Sequence, residues 1–358
     1  MLRGLALKNE TILDKHNGLV ELGKIANEFA EQSVFEDYRL GKSKNTKRRH
    51  DADLALFSKF LETRGIDSGN LAENPQDWKG VTWGLLAAYQ RWMLKEGYAI
   101  TSINARVSTI KVYAKLAFKA GVFNETEYAL IQTIESFSKK EQENIDKNRV
   151  DLGINTRRNT RMIGTLTKGG KAWSSTKKAK GIVLDIEQAN KLKSDHPDTP
   201  IGRRDRLLMC LLLDHGLRVS EVALLKVQDF DLDKMQFSFH RPKVGNNGKH
   251  KFTADTKEAA RAYVQLDADK AGQLIKGSSN QGNLTGKMSE RAITKRVRYL
   301  GDKLIDVTNL SAHDCRHYSA TYYAEKGKSI RWMLDFFGWN TPATAMRYIE
   351  SAKVSDPN

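Results

Sequence analysis

Between Lys147 and Lys180 the chain holds six lysines (147, 168, 171, 177, 178, 180) and four arginines (149, 157, 158, 161) against a single acid, Asp151. The segment also contains Gly153, Gly164, Gly169 and Gly170, and it has no sustained apolar period. Such a stretch offers no face to a hydrophobic core. A chain broken in this way must build one core on each side of the break, and 358 residues are enough for two domains. Residues 141–180 therefore read as an extended basic linker suited to lying along phosphates. By composition alone they are equally a disordered spacer.

Charge narrows the class of partner. Lys+Arg number 59 and Asp+Glu 43, a net +16, and an excess of this size points to a polyanion, most often nucleic acid. Membrane partners are not expected, because no run approaches the roughly 18 apolar residues of a span. The start, "MLRGLALKNE", is too short and too quickly polar for a secretory signal. Two cysteines, Cys210 and Cys315, cannot make a disulfide framework, and no CxxC pair suggests zinc. A reducing cytoplasm is the expected compartment, with the protein nucleoid-associated when bound to DNA.

Residues 1–42 read as an N-terminal helical extension. Residues 43–140 carry helical spacing throughout: Leu54, Phe57, Phe60 and Leu61 before Gly65, then Leu86, Tyr89 and Met93 before Gly97. A third stripe is Ile103, Val107, Ile110, Ala114 and Ala117, closed by Gly121. Its opposite face carries Asn104, Ser108, Lys111, Lys115 and Lys119. A polar, basic helix face is DNA-binding equipment, and equally the solvated face of any helix.

Residues 181–358 differ. "RRDRLLMCLLLDHG" is a strongly apolar helix, central to a second core. "MQFSFH" alternates Met235, Phe237 and Phe239 against Gln236, Ser238 and His240, which is strand period. "KHKFTAD" offers a second strand, with "KVGNNG" as the turn between them. Helices resume at "SERAITKRVRYLGDKLI". The expected fold is mainly α with a small antiparallel β-sheet, an α+β domain preceded by an all-α helical DNA-binding domain.

Chemistry concentrates in "SAHDCRHYSATYY". Ser311 is a good N-cap and Asp314 completes a capping box. His313 and Arg316 then share one face of the first helical turn, where the helix N-terminus itself favours an anion. A phosphate site follows more naturally than zinc: His313 and His317 are four apart, but no acid lies between them at the right place. Arg218 sits in a tight turn between apolar segments, "LLLDHGLRVSEVALL". A rigid arginine there needs an anion, either a ligand or an internal partner such as Glu221. Tyr348 lies two turns into a last helix that starts at Thr341-Pro342.

"HGLRVSEVALLKVQDFD", "SAHDCRHYSATYYAEKG" and "FFGWNTPATAMRYIE" resemble, in order, the three boxes of the tyrosine recombinases, the phage integrase family. The resemblance spans roughly residues 181–350, and the helical region 43–140 is similar, less specifically, to the family's core-binding domain. It implies that Tyr348 attacks a DNA phosphate and forms a 3′-phosphotyrosyl bond, releasing a 5′-hydroxyl. It implies that Arg218 and Arg316 bind the non-bridging oxygens, and that His313 hydrogen-bonds the phosphate and assists proton transfer. Trp339 stands where many relatives have His; indole donates one hydrogen bond but is neither acid nor base. A hairpin lysine is the implied general acid: Lys243 matches best, with Lys249 and Lys251 as rivals. Arg157, Arg158, Arg161, Lys177 and Lys178 of the linker join Asn104, Ser108, Lys111 and Lys115 as expected DNA contacts.

No metal or ATP is expected, because covalent catalysis stores the phosphodiester energy in the phosphotyrosine. The resemblance further implies double-stranded DNA as partner, a homotetramer on two duplexes clamped by both domains, and accessory DNA-bending or directionality proteins. The expected role is site-specific recombination, integrating or excising a mobile element. A type IB-like topoisomerase and a non-catalytic DNA-binding relative are the alternatives.

Overall fold

The three apolar stripes of residues 43–140 become α2 (Lys44–Glu62), α3 (Trp83–Lys95) and α4 (Ile100–Lys119) in the computed structural model of the chain. The structure describes residues 15–154, 182–268, 271–279 and 281–355. It divides into two compact units, Met1–Thr176 and Lys177–Asn358. No described helix is long and apolar enough to cross a membrane.

In the first unit α1 (Lys15–Leu40) precedes these helices, and α5 (Glu125–Thr133) and α6 (Lys139–Asp151) follow. Ser43 caps α2 by accepting from the Thr46 amide, and Thr82 caps α3 by accepting from that of Leu85. Leu54, Phe57, Phe60, Leu86, Tyr89, Met93, Ile103, Val107, Ile110, Ala114 and Ala117 are all buried in one core. Two parts of it were not expected. Phe35 of α1 is buried edge-on against Tyr113, so the end of α1 is part of this core rather than an extension. Arg149 of α6, taken above as a linker cation, is 4% exposed and donates to the carbonyls of Leu94 and Tyr98. It ties α6 to the end of α3 and to the residues that follow it.

The second unit runs α7 (Ile186–Ser194), α8 (Pro200–Leu213), α9 (Val219–Val222), β1 (Phe230–Asp231), β2 (Gln236–Arg241), β3 (Asn246–Lys251), α10 (Ala254–Leu266), β4 (Lys276–Ser278), β5 (Leu284–Lys287), α11 (Glu290–Ile305), α12 (Ala312–Glu325), α13 (Ile330–Phe337) and α14 (Pro342–Ser355). The chain is thus mainly α, with an all-helical unit followed by one that holds two small antiparallel sheets.

From Leu207 to Leu213 of α8 every side chain is at most 1% exposed. A helix apolar on all sides is surrounded, and each such leucine contributes about 1.5–3 kcal/mol by burial. β2 realises the alternation expected of Phe237 and Phe239 and extends it to Arg241, but Met235, at φ +50°, lies in the turn before the strand. The turn is shorter than expected. Asn246 and Asn247 pair with Arg241 and His240, leaving only Pro242–Gly245 to reverse the chain. The "FTAD" portion is not strand: Thr253 caps α10, accepting from the Thr256 amide.

Candidate active site

α8 delivers the first site residue through a tight reversal. Gly216 has φ +57°, and a Cβ there would come within 2.5 Å of the Phe337 ring and 3.0 Å of the Ser319 hydroxyl. Glycine satisfies both the backbone conformation and the close packing. Arg218 follows, half-buried, with its Nη1 donating to Glu221 Oε1 at 2.7 Å. Glu221, 1% exposed, also accepts the Arg218 amide at 2.8 Å. Its carboxylate fixes both the main chain and the side chain of the arginine.

Ser311 and Asp314 form the expected capping box at the start of α12. Asp314 also accepts the Ile182 amide, tying the start of the unit to this turn. Arg316 points into the protein and is 6% exposed. Its Nη1 donates to the Gly216 carbonyl and its Nη2 to the Phe337 carbonyl at 2.6 Å. Burial and the neighbouring Arg218 guanidinium push its pKa down to about 9. Both hydrogen bonds go to carbonyls, which orient the guanidinium without cancelling its charge. Burial of such a charge is costly, and an incoming anion offsets the cost.

His313 is exposed on the outer side of the same turn. His317, one turn on, bridges His313 to Tyr348: its Nε2 lies 3.1 Å from Nε2 of His313, and its Nδ1 lies 2.5 Å from the Tyr348 hydroxyl. The i,i+4 histidine pair therefore meets a phenol. Among the described residues no group of three or more His, Cys, Asp or Glu is placed to hold a metal ion.

Gly338 closes α13 at φ +60°, and Trp339 then lies flat on Phe337 and Tyr348, with centroids 4.7 and 5.3 Å apart. The Arg316 guanidinium sits 5.8 Å from the Trp339 ring. Tyr348 is half-buried; burial raises the pKa of its phenol and the positive charge of Arg316 partly offsets this. Its oxygen needs a proton acceptor at neutral pH, and His317 is in contact with it.

The structure thus brings Arg218, Arg316, His313, Trp339 and Tyr348 into one connected cluster. Lys243 is exposed in the Pro242–Gly245 turn of the β2–β3 hairpin. Lys249 and Lys251 are exposed on β3, on either side of the buried His250. Sequence reasoning missed His317, Arg241 and His250. Of the expected DNA contacts, Ser108 and Lys115 are exposed on α4. Asn104 and Lys111 are occupied inside the unit and correct the idea of one continuous basic face. Asn104 exchanges two hydrogen bonds with the Phe137 backbone. Lys111 donates to the carbonyls of Gln132 and Ile134 at the end of α5. Arg157, Arg158, Arg161, Lys177 and Lys178 lie outside the described residues.

The half-buried Arg218, the buried Arg316 and a phenol hydrogen-bonded to imidazole thus lie on one α+β unit. Residues 183–354 match the phage integrase family, and the chain is similar there to the tyrosine recombinases. It is 29% identical over 166 residues to the tyrosine recombinase XerC of Xanthomonas campestris pv. campestris (strain B100), covering 46% of this chain and 50% of the relative. It is 28% identical over 150 residues to the type 1 fimbriae regulatory protein FimE of Escherichia coli (strain K12), covering 42% and 76%. The chain therefore spans about half the length of the XerC relative. In fold it is similar to the Tn1549 transposon integrase in complex with transposon right end DNA, with TM-score 0.58, 12% identity and coverage of 91% and 98%. It is also similar to a lambda integrase dimer bound to a COC' core site, with TM-score 0.55, 15% identity and coverage of 87% and 96%.

Proposed function

We propose that the protein is a site-specific DNA recombinase that cuts and rejoins DNA through a 3′-phosphotyrosyl intermediate. The observation that carries this is the cluster itself: a tyrosine hydroxyl on an imidazole, beside a buried arginine held by carbonyls alone. In the forward step the Tyr348 oxygen attacks the phosphorus and its proton passes to His317 Nδ1. The P–O5′ bond breaks, and Lys243 supplies the proton that leaves with the 5′-hydroxyl. Arg218 and Arg316 take the non-bridging oxygens, whose charge grows in the transition state.

Proton transfer therefore runs first through His317. His313, exposed and 3.1 Å beyond it, meets the phosphate and relays the proton to solvent. Rejoining is the reverse, with no metal or nucleotide consumed. Lys243 rather than Lys249 or Lys251 is assigned because it occupies the hairpin tip, while the other two extend from β3.

Double-stranded DNA is the substrate, and the net +16 supplies the non-specific part of its binding. Ser108, Lys115 and the linker cations Arg157, Arg158, Arg161, Lys177 and Lys178 contribute phosphate contacts. Integration or excision of a mobile element by four protomers on two duplexes, with accessory proteins setting direction, completes the proposal, with the DNA-bound cytoplasm as its place of action. Nicked suicide duplexes built from the flanks of the encoding gene test it. The wild type accumulates a covalent protein–DNA adduct, and Tyr348→Phe binds DNA without one. Strand exchange on a four-way junction separates recombination from simple relaxation, the outcome expected of a type IB-like topoisomerase.

A further inference from the structure

The last turn of α13 is gripped by three side chains from three other elements, α12, β2 and β3. Arg316 takes the Phe337 carbonyl. Arg241 donates Nη1 to the Asp335 carbonyl at 3.1 Å and Nη2 to that of Phe336 at 2.7 Å. His250 reaches the same Phe336 carbonyl through Nε2 at 3.0 Å, and its ring stacks on Phe336 with centroids 3.9 Å apart. The carbonyls at a helix C-terminus carry partial negative charge and lack intrahelical donors. They suit these groups, but they do not neutralise a guanidinium.

Arg241 is 4% exposed and ends β2. Two glycines make room for it. A Cβ on Gly248, across the strand pair, would fall 2.9 Å from both Nε and Nη2 of Arg241. A Cβ on Gly338 would collide with the same guanidinium from the helix side. The Phe239 ring closes a further side, 4.9 Å from the guanidinium carbon. An apolar side chain would fill this space without the cost of burying a charge. An arginine is needed only if its forked donors hold something in place.

What they hold is the turn that carries Lys243. The Arg241 carbonyl accepts the amides of Val244 and Gly245 at 3.1 and 2.9 Å, which closes the Pro242–Gly245 turn. Its side chain fastens that turn to Asp335 and Phe336 in the last turn of α13, two residues before Gly338 and three before Trp339. The same helix end anchors Arg316. We propose that Arg241 is a positioning residue: it locks the β2–β3 hairpin, and with it Lys243, to the helix end that organises Arg316 and Trp339. The inference rests on Lys243 being the general acid, and its test separates the two ideas.

Cleavage is compared on two suicide duplexes of one sequence. One carries the ordinary 5′-bridging oxygen at the scissile phosphate and the other carries sulfur there. With sulfur the P–S bond breaks and the thiolate departs unprotonated, because a thiol pKa of about 8.5 removes the need for an acid. Arg241→Gln and Arg241→Lys are expected to slow cleavage of the oxygen substrate about 100-fold, the cost of a misplaced catalytic group. On the sulfur substrate both are expected to return to the wild-type rate, as is Lys243→Ala. Slow cleavage of both substrates by the Arg241 variants, with Lys243→Ala rescued, overturns the positioning role and leaves Lys243 as the acid. Lys243→Ala that sulfur fails to rescue overturns the assignment of Lys243, and the inference with it. Wild-type rates in the Arg241 variants also overturn it. So does loss of a cooperative melt in both variants, which would make Arg241 a folding residue.

Discussion

Arg316→Lys tests whether one side chain both holds the fold and organises the site. The arginine spans two carbonyls on different segments, Gly216 before α9 and Phe337 at the end of α13, and it is 6% exposed. A lysine carries one ammonium on a narrower reach and can meet one of the two. The variant loses a hydrogen bond to a charged group, worth about 1.5–3 kcal/mol, and strands a buried carbonyl at about 1–3 kcal/mol. Since the turn relaxes in part, the expected loss is about 2–4 kcal/mol for the C-terminal unit. Loss of a fixed donor pair to the phosphate should slow adduct formation about 100- to 1000-fold. Urea titration of the 177–358 transition in the full chain reads the first quantity, and single-turnover trapping on a suicide duplex reads the second. Stability within about 0.5 kcal/mol of wild type would refute the bridging role, since that is the range of neutral surface changes.

Acid should weaken the same unit. Burial holds His250 at a pKa of about 3 and His215 well below the usual value. Each binds its proton more readily when unfolded. The contribution of His250 is complete above about pH 6.5 and is lost as pH falls toward 3, by about 1.4 kcal/mol per unit, and acid removes that of His215 in the same direction. Urea midpoints at pH 7 and 5 should show the fall, with a shallower one in His250→Gln; equal midpoints in the wild type would contradict it. Glu221→Gln should cost about 1–3 kcal/mol and slow adduct formation at least about tenfold, with DNA binding retained in a gel-shift assay. Trp339→Phe should keep near-wild-type cleavage, because the stack on Tyr348 survives. Trp339→Ala should lose about 0.5–1.5 kcal/mol of that contact and cleave about tenfold more slowly in the same trapping assay.

Local signals made much of this legible. The apolar stripe from Ile103 to Ala117 is buried as its spacing requires, and Ser311, Asp314, Ser329 and Gly338 bound their helices as cap chemistry dictates. Arg241 continues the inward register of Phe237 and Phe239, so its burial was readable, but the helix end that it grips is 94 residues away. His317 lies one turn from His313, yet its role depends on a phenol 31 residues on. Asn104, Lys111 and Arg149 look like solvent-facing cations or amides in one dimension. Only the packed helices show the carbonyls that they bind. Tertiary partners of polar side chains are what periodicity leaves out.

The most direct measurement is mass spectrometry of the peptide left on DNA after a trapped reaction is digested with protease. The account predicts one modified peptide, with the 3′-phosphate of the broken strand esterified to the phenolic oxygen of Tyr348. A nucleotide linked to any other residue, or attached through a 5′-phosphate, would contradict it.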